Sequence, residues 1–101
     1  MAQLKHIALF KFKADCPAED IALVWRTIEA FPQQIPGIVS LTWGPDVSVE
    51  GLSEGFSHSF IITFENVAAR DAYLPHPVHQ AAVAIVLPRL ERVIVIDQEV
   101  S

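Results

Sequence analysis

Leu4-Lys5-His6-Ile7-Ala8-Leu9-Phe10-Lys11-Phe12-Lys13 is the stretch whose reading decides the fold. Taken two residues at a time, Leu4, His6, Ala8, Phe10 and Phe12 fall on one face, while Ile7 and Leu9 fall on the other. A strand with one wet face alternates apolar with polar; this one has apolar side chains on both. Ser57 to Glu65 (SHSFIITFE) repeats the pattern, with His58, Phe60, Ile62 and Phe64 on one face and Ile61 and Thr63 on the other. Arg92 to Asp97 (RVIVID) is a third two-faced strand, and Ile38 to Trp43 reads as a strand stopped by Gly44-Pro45.

Helical spacing fills the gaps. Pro17 suits a first helical position with Cys16 at the cap and Glu19 in the first turn; Ile21, Val24, Trp25, Ile28 and Phe31 then share one side. Pro32 and Pro36 end or kink that helix, and Gly37 turns the chain. Glu50 to Gly55 is a loop by composition. Asn66 caps a short helix ending near Leu74, and Pro77 starts another with Val78, Ala81, Ala82 and Ile85 on its apolar side. The order β-α-β-β-α-α-β predicts one α+β domain over residues 1–101. It is a ferredoxin-like subunit with a four-stranded antiparallel sheet and helices on one side. The uncovered face would leave Ile7, Leu9, Leu41, Trp43 and Ile61, or their opposites, in water. Such a patch exceeds the roughly 300–600 Å² usual for the largest on a monomer. The simplest cover is a second copy, giving a homodimer that packs sheet to sheet as a dimeric α/β barrel.

Composition narrows the function. Seven scattered Lys and Arg against a net charge of −5 argue against a nucleic-acid partner. No run approaches 18 apolar residues and the N-terminus lacks a signal-peptide pattern, so no membrane span and a cytoplasmic address are expected. Cys16 is alone, which leaves no disulfide framework and no cysteine zinc site. There is no glycine-rich phosphate loop and no nucleophile elbow.

Chemistry concentrates in Tyr73-Leu-Pro-His76-Pro77-Val-His79. His79 lies in the first turn of the helix begun by Pro77, where the helix N-terminus disfavours imidazolium. A neutral ring there is either a general base for a proton alpha to a carbonyl or a half-buried packing residue. Tyr73 is either the donor that binds a developing enolate oxygen or a core tyrosine bonded to backbone. His6 and His58 share strand parity with the phenylalanines. They are either substrate-binding groups near His79 or satisfied core histidines. His76 reads as the cap of the last helix. The His76-x-x-His79 spacing is not a helical ligand pair and no carboxylate sits at ligand spacing, so neither metal nor cofactor is expected.

Several segments together resemble the stress-responsive dimeric A/B barrel family. They are Lys5-His6, Phe10-Lys11-Phe12-Lys13, Ile35-Pro36-Gly37-Ile38, Trp43-Gly44-Pro45-Asp46-Val47-Ser48, Gly55-Phe56-Ser57-His58, Tyr73-x-x-His76-Pro77-x-His79 and Val93-Ile94-Val95-Ile96-Asp97. The resemblance implies the ferredoxin-like subunit and the sheet-to-sheet homodimer. Function in that family is less uniform. Many members have no assigned reaction and some resemble stress-protective assemblies. One plant member closes a linear polyketide by aldol condensation without metal or cofactor, using a tyrosine and a histidine spaced as Tyr73 and His79 are. It also carries histidines matching His6 and His58. The reading is therefore a cofactor-independent cyclase- or lyase-like enzyme for a small apolar carbonyl compound. The alternatives are a non-catalytic ligand-binding or stress-protective dimer and, third, a cofactor-free monooxygenase of related architecture.

Overall fold

The computed structural model describes residues 2–100; Met1 and Ser101, the two ends of the expected domain span, lie outside the described residues. The elements are β1 (Gln3–Phe12), α1 (Ala18–Glu29), α2 (Phe31–Gln34), β2 (Ile38–Pro45), β3 (His58–Phe64), α3 (Val67–Tyr73), α4 (Pro77–Val86) and, after a 3₁₀ turn at Leu87–Arg89, β4 (Leu90–Val100). The strands form one antiparallel sheet in the order β2-β3-β1-β4. This is the ferredoxin-like α+β fold.

The alternation in β1 decides what is covered. Leu4, His6, Ala8 and Phe10 are buried, while Lys5, Ile7 and Leu9 are only partly so. Phe60, Ile62 and Phe64 lie beside them through the β1–β3 register. Val24, Trp25 and Ile28 come down from α1, and Phe31 and Tyr73 close the layer. Ile62, Phe64 and Val24 have no exposed surface, and each such side chain contributes about 1.5–3 kcal/mol of burial.

Five local expectations shift. Pro17, not Cys16, takes the cap position, and the first helix begins at Ala18. Pro32 does not merely stop that helix: it sits in the first turn of α2, where its missing N–H leaves no bond unmade. The second strand runs on through Gly44 and Pro45, because β2 is an edge strand and an edge tolerates proline. Leu41 and Trp43 lie on the helix side, paired with Ile62 and Phe60, rather than on the open face. Parity says which residues share a face, but register decides which face it is. Trp43 stacks on Trp25 with centroids 4.5 Å apart and donates Nε1–H to Glu29. In α4 the buried residues are Ala82 and Val86, whereas Ala81 is exposed.

The open face therefore centres on Ile7 and Leu9, flanked across the ladder by Ile61, Ile94 and Ile96. Among the described residues no helix is long and apolar enough to cross a membrane.

Gly37 joins α2 to β2 with φ +90, a region that favours glycine, and a Cβ there would stand 2.6 Å from the Ala69 Cβ on α3. Gly37→Ala is expected to destabilise the fold by about 1–3 kcal/mol. A lowered urea midpoint at unchanged slope would show it.

Candidate active site

The site begins where α3 ends. Asn66 starts α3 by accepting from the Ala69 N–H at 2.9 Å, and Tyr73 is the last helical residue. Pro75 lacks an N–H and Pro77 can only start a helix, so the chain breaks between them and restarts as α4. His76 caps the restart, its Nδ1 accepting from the Val78 N–H at 3.1 Å. That bond makes its ring a structural acceptor.

The break leaves the Leu74 carbonyl without a helical partner. His79 Nδ1 lies 2.9 Å from it, and Gln80 Nε2 donates to it at 2.7 Å. A carbonyl oxygen only accepts, so Nδ1 carries the hydrogen and, in the neutral ring, Nε2 holds the lone pair. Burial pulls the His79 pKa below the usual histidine value. The Leu74 carbonyl opposes this, and His6 and His76 add smaller lowering effects. His79 is thus a neutral base near pH 7.

Tyr73 is 1 % exposed, and its ring centroid stands 4.1 Å from that of His79. Burial, helped by the charge of Asp97, pushes the phenol well above its ordinary pKa. It therefore keeps its hydrogen and is able to donate it in a hydrogen bond. His6, on β1, has its ring 5.5 Å from that of Tyr73 and its Nδ1 2.7 Å from Asp97 Oδ1. Tyr73, His79 and His6 line one cavity of about 110 Å³ that opens to the surface. The rest of the lining is apolar, with Phe31, Phe60 and Val86 among it.

His58 is not brought there. It faces the same side of the sheet but pairs with Phe10, four residues along β1 from His6. At about 3.3 Å per residue that is some 13 Å away. Its ring meets Phe12 and Trp25 at 5.2 and 5.8 Å, and its Nδ1 lies 2.8 Å from Ser57 Oγ. Alternation gives the face and not the distance along it, so the expected shared chamber assembles with His6 and without His58. Asp97 and Arg70 were not among the expected site residues. The signal for Asp97 was a carboxylate ending an apolar strand, a polar group that needs a partner once packed.

Burial lowers the pKa of both His79 and His58. Their unfolded forms therefore bind protons more readily than the folded ones. Stability is expected to be full above about pH 6.5 and to fall as pH drops from there through the lower folded values. Urea midpoints taken between pH ~8 and ~5, where carboxylates remain ionised, would trace the fall. A flat profile would contradict it.

Residues 4–100 match the stress responsive A/B barrel domain family. The chain belongs to that family. It is 35 % identical to the stress-response A/B barrel domain-containing protein HS1 of Arabidopsis thaliana, over 93 % of this chain and 86 % of that one. It is 30 % identical to olivetolic acid cyclase of Cannabis sativa, over 75 % of each. Among solved structures, the Arabidopsis thaliana protein At3g17210 superposes with a TM-score of 0.91 at 34 % identity, covering 97 % of this chain and 95 % of that one. A dimeric ferredoxin-like protein of Jannaschia gives 0.87 at 26 % identity, over 97 % and 99 %. A hydroxynitrile lyase of Passiflora edulis gives 0.92 over 98 % and 94 %, a likeness of fold alone at 21 % identity. This A/B barrel chain therefore has named enzymes among its relatives and neighbours, as well as proteins with no reaction attached.

Proposed function

We propose that this A/B barrel protein is a homodimer that carries out cofactor-independent proton transfer on a small apolar carbonyl compound, in the manner of a cyclase or lyase. His79 is the general base and Tyr73 the donor to the developing enolate oxygen. The observation that carries the reading is the contact of these two rings, 4.1 Å apart in one apolar cavity, with the His79 hydrogen committed to the Leu74 carbonyl. A neutral base and a phenol that does not ionise are the two halves of an enolisation site. Likeness to olivetolic acid cyclase supports the reaction class. The open face around Ile7, Leu9 and Ile61 supports the second copy, as does likeness to the dimeric Jannaschia protein.

One observation favours a second reading, a non-catalytic ligand-binding or protective dimer. The cavity, about 110 Å³, falls below the roughly 300–1,000 Å³ of pockets that enclose drug-sized ligands. The enzymatic reading therefore requires a short substrate, or one that leaves most of its length outside.

The two readings separate on short-chain poly-β-keto thioesters incubated with wild type, with His79→Ala and with buffer. Faster formation of a ring-closed product by wild type alone supports catalysis. Three matching product profiles would retire it.

A further inference from the structure

His6 and Asp97 stand directly opposite each other on β1 and β4. The His6 side chain is 7 % exposed and that of Asp97 26 %, and Nδ1 lies 2.7 Å from Oδ1. The other carboxylate oxygen accepts from an Arg70 guanidinium N–H, and Arg70 Nε donates to Asp71. Arg70 sits one helical turn before Tyr73 on α3, so the same helix that carries the phenol also grips the carboxylate. The acid–base roles of His79 and Tyr73 leave this three-residue chain unused.

An ionised carboxylate has no hydrogen to give, so the His6–Asp97 bond is donated by Nδ1–H. We propose that Asp97, aimed by Arg70, is a positioning residue. It holds His6 in the Nδ1–H tautomer, so that Nε2 is a second hydrogen-bond acceptor of the chamber. The chamber then presents one donor, the Tyr73 hydroxyl, and two acceptors, Nε2 of His79 and Nε2 of His6. A matched substrate brings a carbonyl oxygen for Tyr73, an acidic hydrogen for His79 and one further O–H for His6. That is the pattern of a β-hydroxy carbonyl compound, which keeps an acidic α hydrogen beside an independent hydroxyl, and not of a simple ketone. This substrate class rests on the acid–base reading above; the tautomer does not.

Two-bond ¹⁵N NMR of the intact protein above pH ~8, where an ordinary histidine is neutral, reads the tautomer directly. In wild type, His6 is expected to carry its hydrogen on Nδ1. In Asp97→Asn, Arg70 still offers only hydrogens and so takes the Asn oxygen. The Asn amide N–H₂ then faces His6, which must accept at Nδ1 and carry its hydrogen on Nε2. The tautomer is expected to invert. Turnover of a β-hydroxy carbonyl substrate is expected to fall by about 10²–10⁴, the range for an active-site histidine held in the wrong tautomer. Removing the guanidinium as well, in Arg70→Ala/Asp97→Asn, frees the amide to rotate, and the Nδ1–H form is expected to return.

A wild-type His6 protonated on Nε2 would overturn the proposal without any variant. An unchanged tautomer in folded Asp97→Asn would overturn it too. Because the spectra need no substrate, an inverted tautomer in a protein that turns nothing over would leave this inference standing and remove the enzymatic reading instead.

Discussion

His79→Ala is expected to lower kcat/KM for the carbonyl substrate by about 10²–10⁴, the range spanned by a positioned general base. The argument rests on what the ring does in place. Its Nδ1–H is held by the Leu74 carbonyl, so the ring cannot turn its hydrogen toward the cavity, and the remaining nitrogen is the acceptor. Burial keeps that nitrogen unprotonated near pH 7. Of the other residues lining the cavity, the Tyr73 phenol keeps its hydrogen, His6 is tied to Asp97 on β4 and is assigned a substrate O–H rather than the acidic hydrogen, and the rest are apolar, so none takes over the base's role. The loss should come without collapse of the α3–α4 junction, because Gln80 still donates to the same carbonyl. The thermal midpoint should therefore move little. The wild-type rate should fall on the acid side, below the usual histidine pKa, as the base is protonated; the residual rate of the variant should not follow that limb. A variant as active as wild type would remove His79 from the chemistry. One with a lost fold would make the activity uninformative, and the melt distinguishes the two cases.

The sequence made the architecture legible because period and punctuation act locally. Alternation in Leu4–Lys13 and Ser57–Glu65, Asn66 before an amphipathic turn and Pro77 after a break each determine their own segment whatever surrounds them. What was not legible depends on register. Leu41 and Trp43 share a face by parity, yet only the pairing of Trp43 with Phe60 tells that this face lies under the helices. His58 fails for the same reason. It is on the right side of the sheet, but β1–β3 pairing sets it beside Phe10 rather than His6. Tyr73 and His79 met as expected because six residues around a proline-fixed break leave little freedom. Asp97 was missed because its partner His6 is 91 residues away in the chain and comes opposite it only once β1 and β4 have paired. Local chemistry thus delivered the proposed donor and base, and non-local pairing delivered the carboxylate opposite the second histidine.

Ile7→Asp is expected to convert the proposed dimer into monomers, with the dissociation constant raised by about 10⁴–10⁷. Ile7 stands at the middle of the open face, with Ile61 opposite on β3 and Ile96 opposite on β4. In a face-to-face dimer with two-fold symmetry one substitution enters the contact twice. An uncompensated charge buried in such a contact costs roughly 3–5 kcal/mol, so the pair costs about 6–10 kcal/mol. At about 1.4 kcal/mol per tenfold in affinity, this gives the stated range. The cationic neighbour on that face, Lys5, already donates to Thr63 Oγ1 at 3.0 Å, so it offsets little of the cost. In the separated subunit the same Asp faces water on a strand, where the propensity change amounts to about 1 kcal/mol. The subunit should therefore stay folded, with the far-ultraviolet spectrum unchanged. Sedimentation equilibrium at micromolar concentration reads the outcome. A variant that still sediments as a dimer would mean that this face is not the contact, and the reason for the two-faced strands would have to be sought elsewhere. The cavity lies on the opposite side of the sheet, under α3 and α4, so the monomeric variant also asks whether a single subunit suffices for turnover. If the site is complete within one chain, kcat should survive dissociation.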